Sequence, residues 1–203
     1  MSLREALKRI AHGIAWIVVT PSALSFAVRS RLLGRDRALE GSTQGWALVP
    51  GLLGQYLRRA FLCRALASCA RTATIEFGTL FSSASARIGD HAYVGPGCHL
   101  GWVDIEADVL IGAGVHIPSG PYTHGTSALD VPIREQPGRK QMVHIGAGAW
   151  IGSAAIVLAD VGAQTIVAAG AVVTKPLPDR VVAAGVPATV IRRRDANPAT
   201  LDA

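Results

Sequence analysis

From Ser2 to about Leu33, and again from about Leu48 to Ala70, apolar residues recur at helical spacing. Leu3, Ala6, Leu7, Ile10 and Ile14 mark the first stretch, and Leu53, Tyr56, Leu57, Ala60 and Phe61 the second. Two helices are predicted. Pro21 breaks or kinks the first, because proline has no N–H to donate and its ring collides with the preceding turn. Between the helices, Leu39 to Pro50 holds Gly41, Ser42, Thr43 and Gly45 around Trp46, a composition that predicts a loop.

After Thr72 the period changes to six. Aliphatic-Gly pairs stand at Ile88-Gly89, Val94-Gly95, Leu100-Gly101, Ile111-Gly112, Ile145-Gly146, Ile151-Gly152 and Val161-Gly162, and Ile75, Ile105, Ile117, Val157, Val167 and Val173 continue the register. A six-residue period fits a triangular coil: each hexad forms a short flat strand and a corner, and three such faces bring the chain back above itself. Coils stack at the interstrand spacing of roughly 4.8 Å, so the aliphatic residue of each hexad meets its equivalents above and below. The adjoining Gly is expected to leave room for the corner and to supply positive φ. The register slips from Leu100 to Ile105 and from Val157 to Val161, which requires shortened corners. Between Ile117 and Ile145 it stops, and this aperiodic stretch, Pro118 to His144, carries Arg134, Glu135, Arg139 and Lys140. A long insertion in a rigid solenoid is a functional candidate.

The chain therefore divides into a helical segment over 1–72, a repeat domain over 73–194 with the insertion 118–144, and a tail over 195–203. Composition agrees: of 203 residues 50% are hydrophobic but only 5% aromatic, with 22 Gly, so the core is built of small layered aliphatics. Cys63, Cys69 and Cys98 form neither a disulfide framework nor a four-ligand zinc site. Charge adds a second theme. The net +6 is uneven, since residues 1–72 hold eleven basic and three acidic residues. A basic, apolar, Trp-containing segment reads as a membrane-surface element. The charge-free run from His12 to Val28, interrupted by Pro21, is a marginal span and lacks a following cleavage site, so peripheral contact is expected. Basic residues are not interleaved with aromatics, which disfavours nucleic acid.

The stretch from Ile75 to Arg194 resembles the hexapeptide-repeat acyltransferases, the family of galactoside, maltose, streptogramin and polysaccharide O-acetyltransferases. The resemblance is carried by His144-Ile-Gly-Ala-Gly-Ala-Trp-Ile-Gly-Ser153, by Val167-Ala-Ala-Gly-Ala-Val-Val-Thr-Lys175 and by Val182-Ala-Ala-Gly-Val-Pro-Ala-Thr-Val-Ile-Arg192. It implies a mainly β protein, a left-handed parallel β-helix with an α-helical amino-terminal segment, assembled as a homotrimer with acetyl-CoA in a groove between neighbouring prisms. It also implies that His124, in Ile117-Pro-Ser-Gly-Pro-Tyr-Thr-His-Gly125, is the catalytic base, that Trp150 lines the cleft and that Asp104 meets the acceptor. Gly152, Ser153, Ala168, Ala169 and Gly170 match the backbone along the pantetheine arm, and Lys175, Arg192 and Arg193 match the cations that meet the CoA phosphates. A backbone N–H beside Trp150 is expected to face the tetrahedral oxyanion.

His99, His116 and His144 each precede a hexad aliphatic, and His99 and His116 are placed to stack on adjacent coils. A related β-helix class, the γ-class carbonic anhydrases, binds zinc through three His, two of them five residues apart. No such pair stands here, so no metal is expected. The expected function is transfer of an acetyl or other acyl group from acyl-CoA to a hydroxyl of a sugar-containing acceptor in polysaccharide or cell-surface glycan synthesis, at the cytoplasmic face of the inner membrane. The alternatives are O-acetylation of a small molecule such as an antibiotic or free sugar, and a non-enzymatic trimeric scaffold.

Overall fold

Three helices precede the repeats: α1 (Leu3–Leu33), α2 (Arg35–Ala47) and α3 (Gly51–Ala65). The computed structural model describes residues 3–194, and the expected tail over 195–203 lies outside them. α1 buries Ala15, Val19 and Phe26, with the Phe26 ring set edge-on to Phe61 of α3. Pro21 does not break it, and α1 runs on for 31 residues. Thr20 donates its hydroxyl to the Trp16 carbonyl and accepts from Arg64, while α2 and α3 pack along the helix and outweigh the one bond lost at Pro21.

The expected loop over Leu39–Pro50 is corrected to a helix as far as Ala47. Tertiary burial overrides weak propensity. Ala38, Leu39 and Ala47 are buried, and Ser42 both donates to the Ala38 carbonyl and accepts from Arg29. α3 is tied to the first coil by the buried Arg58, which donates to the Ile75 and Val49 carbonyls.

The rest is a three-faced parallel β-helix of about six turns. Face A holds Ser68–Cys69, Arg87–Ile88, Val103–Ile105 and Val143–Ile145, extended by bridges through Val161 to Leu177. Face B runs from Thr74–Ile75 through Tyr93–Val94, Leu110–Ile111, Trp150–Ile151 and Ile166–Val167 to Val181–Ala184, closed by the antiparallel strand Thr189–Arg193. Face C holds Leu80–Phe81, His99–Leu100, His116–Ile117, Ile156–Val157 and Val172–Val173. Every hexad aliphatic anticipated from the repeat is buried, from Ile75 to Val173.

The register slips have one location. Successive core positions stand six apart from face A to face B (Ile88 to Val94, Ile105 to Ile111, Ile145 to Ile151) and from face B to face C (Val94 to Leu100, Ile111 to Ile117, Ile151 to Val157). Only the edge from face C back to face A varies, and Leu100 to Ile105, Val157 to Val161 and the whole insertion all fall there. The two constant corners explain why. Each places a residue at positive φ three positions after the aliphatic: His91, Asp108, Gln164 and Arg180 at one edge, Gly97, Gly114, Ala154 and Gly170 at the other. That corrects the duty expected of the adjoining Gly, which serves close approach instead. A Cβ on Gly152 would lie 2.4 Å from the Ala169 nitrogen of the next coil.

Because each coil is closed only by its neighbours, loss of one core side chain is felt directly. Ile151, wholly buried, stacks between Ile111 and Val167. Ile151→Ala should destabilise the protein by about 2–5 kcal/mol, read by chemical denaturation.

Candidate active site

The insertion leaves face C at Pro118 and returns to face A at Val143 as an ordered excursion. Its two limbs are joined by Gln141 N–H to the Ser119 carbonyl (2.8 Å) and Arg139 N–H to the Tyr122 carbonyl. Gly138 packs so tightly on Thr123 that a Cβ there would sit 2.1 Å from its carbonyl oxygen. The buried Gln136 amide donates to the Ala128 and Val131 carbonyls and accepts from Ala128 N–H, which closes the tip. Lys140 pairs with Asp36 of α2 at 3.1 Å, fastening the loop to the helices. Ser119 accepts from the Trp102 N–H and anchors the root.

This scaffold presents His124 exposed on one limb. Among the described residues its ring has no hydrogen-bond or ion-pair partner. A free imidazole on a rigid loop is able to take a proton from a bound ligand.

Trp150 stands on face B, half-exposed, in register with Ile166, Val182 and Arg192. Three interstrand steps of roughly 4.8 Å separate its row from that of Arg192. The corner after it gathers Gly152 and Ser153 over Ala168, Ala169 and Gly170, joined by Gly152 N–H to the Val167 carbonyl (2.7 Å) and Gly170 N–H to the Ser153 carbonyl (2.9 Å). Ser153, Ala169 and Gly170 are exposed, so this is a narrow, smooth edge of small residues. Lys175 is exposed at the next edge, and Arg192 and Arg193 are exposed on the closing strand. The structure thus brings Trp150, the small-residue corner, Arg192 and Arg193 to face B and its border with face C, whereas Lys175, between Val173 of face C and Leu177 of face A, stands on the edge from which the insertion leaves. Face B lies across the prism from the edge that bears the His124 loop, so one chain does not join Trp150 to His124.

The amides beside Trp150 are engaged in coil stacking, Trp150 N–H with the Thr165 carbonyl and Gly152 N–H with that of Val167, so they are not available to an oxyanion. Asp104 faces His144 and Arg87 on face A, with His144 Nδ1 4.0 Å and Arg87 3.9 Å from its carboxylate. Glu106 lies 3.6 Å from His144 Nε2, and Asp160 accepts from the His144 N–H. This group stands on face A, where the insertion rejoins the prism at Val143, and Trp150 stands on face B.

His99 and His116 do stack on face C, their ring centroids 4.9 Å apart and nearly parallel. They form one wall of a cavity of about 620 Å³ between face C and α2, with Glu40, Gln44, Phe81 and Pro118 among its other lining residues. Pro118 is the first residue of the insertion, so the cavity opens at the loop's root.

No family model matches the chain. It is 30% identical over 112 residues to a galactoside O-acetyltransferase of Lactococcus lactis, which covers 52% of this chain and 54% of that protein. The chain spans about half the length of the curated relatives it matches. Among solved structures, a maltose O-acetyltransferase from Clostridium difficile superposes with a TM-score of 0.66 at 19% identity, over 78% of this chain and 87% of that one. A galactoside acetyltransferase in complex with coenzyme A gives 0.63 at 23% identity, over 79% and 81%. In sequence the chain is similar to curated acetyltransferases over about half their length, and the repeat domain shares its fold with these solved acetyltransferases.

The cavity is not legible along the chain, because the loop expected over 39–50 is a helix as far as Ala47, and that helix sets Glu40 and Gln44 over face C. The carboxylates around His144 were within reach of the sequence. Ile105 and Ile145 are consecutive face-A core positions, which puts the residues before them, Asp104 and His144, side by side.

Proposed function

We propose that the protein is a CoA-dependent O-acetyltransferase that moves an acetyl group from acetyl-CoA to a hydroxyl of a sugar-containing acceptor. The observation that carries this reading is His124: an exposed imidazole without an intrachain partner, held on an ordered loop at the edge of a hexapeptide-repeat prism. In the proposed reaction the neutral imidazole takes the proton of the acceptor hydroxyl as its oxygen attacks the thioester carbon. The tetrahedral intermediate collapses, the C–S bond breaks, and the imidazolium returns its proton to the departing CoA thiolate. The small-residue edge from Gly152 to Gly170 admits an extended pantetheine arm, and Lys175, Arg192 and Arg193 supply cations for its phosphates.

Because His124 and Trp150 lie on opposite sides of one prism, the reading requires that a second copy bring its loop to the first copy's groove, as in a closed homotrimer. The exposed Tyr122, Leu129 and Ile133 at the loop support this, since apolar side chains on an ordered loop suit burial against a neighbour. The face-C cavity, an apolar floor rimmed by His99, His116 and Glu40, has the composition of a pocket for a small polar ligand such as a sugar.

Calorimetry with acetyl-CoA tests the donor half. Saturable micromolar binding is expected, weakened about tenfold or more in Lys175→Ala/Arg192→Ala. No binding at millimolar concentration would leave the trimeric scaffold as the better reading. A screen of acceptors with mass detection of the acetylated product separates lipid-linked sugars from free sugars and antibiotics.

A further inference from the structure

The amino-terminal helices carry a surface that acetyl transfer does not use. A helix packed on a soluble domain turns its apolar face inward and its polar face outward. α1 is apolar on both. Its packing face holds Ala15, Val19 and Phe26, yet on the opposite side Ile10, Ile14, Ile17, Leu24, Val28 and Leu32 stand exposed, Ile17 to 74% and Leu32 to 77%. These six span 23 residues, about 33 Å along the helix axis.

Beside this stripe lies a cationic pocket. Trp16 is covered by the guanidinium of Arg64 at 4.1 Å from its ring centroid and approached by that of Arg71 at 5.4 Å, and Arg9 and His12 complete the walls. Behind His12 stands Arg59, nine-tenths buried, with its Nε unpartnered and one terminal nitrogen 3.2 Å from the imidazole. None of these cations meets a carboxylate within ion-pair distance among the described residues. The pKa of His12 is pushed below its ordinary value by burial first and then by Arg59, Arg71 and Lys8, the mark of a pocket with excess positive charge.

We propose that α1 lies flat in the surface of an anionic membrane, its outer stripe among the acyl chains and the Trp16 pocket around lipid phosphates. The stripe alone would also suit a second copy of the chain. The cations beside it, which meet no carboxylate among the described residues, choose the lipid, because a like-charged second copy would bring the two cation clusters together. By length and hydropathy α1 could also cross a bilayer. Its packing face opposes that: His12 meets Arg59, Thr20 and Trp16 meet Arg64, and Arg29 bonds Ser42 of α2, so a span would carry these guanidinium groups and their helices into hydrocarbon.

Flotation of the full chain with vesicles tests this. Binding is expected to vesicles of phosphatidylglycerol mixed with phosphatidylcholine, to be much weaker with phosphatidylcholine alone, and to fall as salt rises. Ile10→Asp/Ile17→Asp, on the outer face and outside the packed core, should lower partitioning about tenfold or more with unchanged circular dichroism and oligomeric state. Arg9→Ala/Arg71→Ala should lower it on anionic vesicles and leave the residual binding to neutral ones unchanged. Alkaline carbonate should strip the protein from the vesicles, whereas retention there would mean a span and overturn the flat arrangement. Equal flotation of the Ile10→Asp/Ile17→Asp variant would overturn the proposal. So would no flotation together with loss of self-association in that variant, which would assign the stripe to a second copy. Thermal protection of the lipid-free protein by inorganic phosphate, with no flotation, would make the pocket a soluble-anion site instead.

Discussion

His124→Ala should lower turnover by about 10²- to 10⁴-fold while leaving acetyl-CoA affinity nearly unchanged. An alcohol is un-ionised at neutral pH, so its attack on a thioester depends on a group that takes the proton as the new bond forms, and loss of such a base has that scale of effect. Affinity should survive because the residues proposed to hold the coenzyme, the small-residue corner from Gly152 to Gly170 with Lys175, Arg192 and Arg193, do not include the loop. The truncation is structurally quiet, since the ring is exposed and unpartnered among the described residues. His144→Ala provides the contrast. Its imidazole is already flanked by Asp104 and Glu106 on face A, at 4.0 and 3.6 Å, so it acts within a surface polar group and its loss should cost far less. If His124→Ala kept more than about a tenth of wild-type turnover, His144, with carboxylates in place to orient it, would be the next base to test.

How much of this could be read along the chain follows from what each stretch is made of. The β-helix was legible because its constraint is local and repeated: the same aliphatic position must be filled in every hexad, so Ile88, Val94 and Leu100 announce the coil before any contact is known. The edge on which the slips collect was implicit in the same spacing, since Leu100 to Ile105 and Val157 to Val161 both fall at the return from face C to face A. The helices were harder. α2 exists because Ala38, Leu39 and Ala47 find burial against α1 and face C, a tertiary gain that no local count of Gly41, Ser42 and Gly45 contains. The face-C cavity and the Trp16 pocket share that origin, each being walled by segments far apart in sequence. His124 could be singled out through the family resemblance, which places a catalytic histidine at the start of such an insertion. Its isolation from Trp150 could not, because it depends on which edge of the prism the loop uses.

That isolation leads to the most discriminating expectation, complementation between two inactive variants. If each site joins the loop of one copy to the groove of the next, then His124→Ala damages only the loop side. Ala169→Trp should damage only the groove side, because Ala169 is exposed at the corner beside Ser153 and a bulky ring there blocks the small-residue edge without entering the core. Each homotrimer should be inactive. Trimers that contain both variants behave differently: around the ring, one junction pairs an intact loop with an intact groove, whichever variant is in the majority. Mixed trimers isolated through two different affinity tags should therefore regain about one third of the wild-type sites. Turnover per trimer measures this directly, and the tags guarantee that the species assayed is mixed. Activity no higher than that of the separate homotrimers would mean that loop and groove of the same chain form the site, and a monomer by light scattering would exclude the shared site altogether.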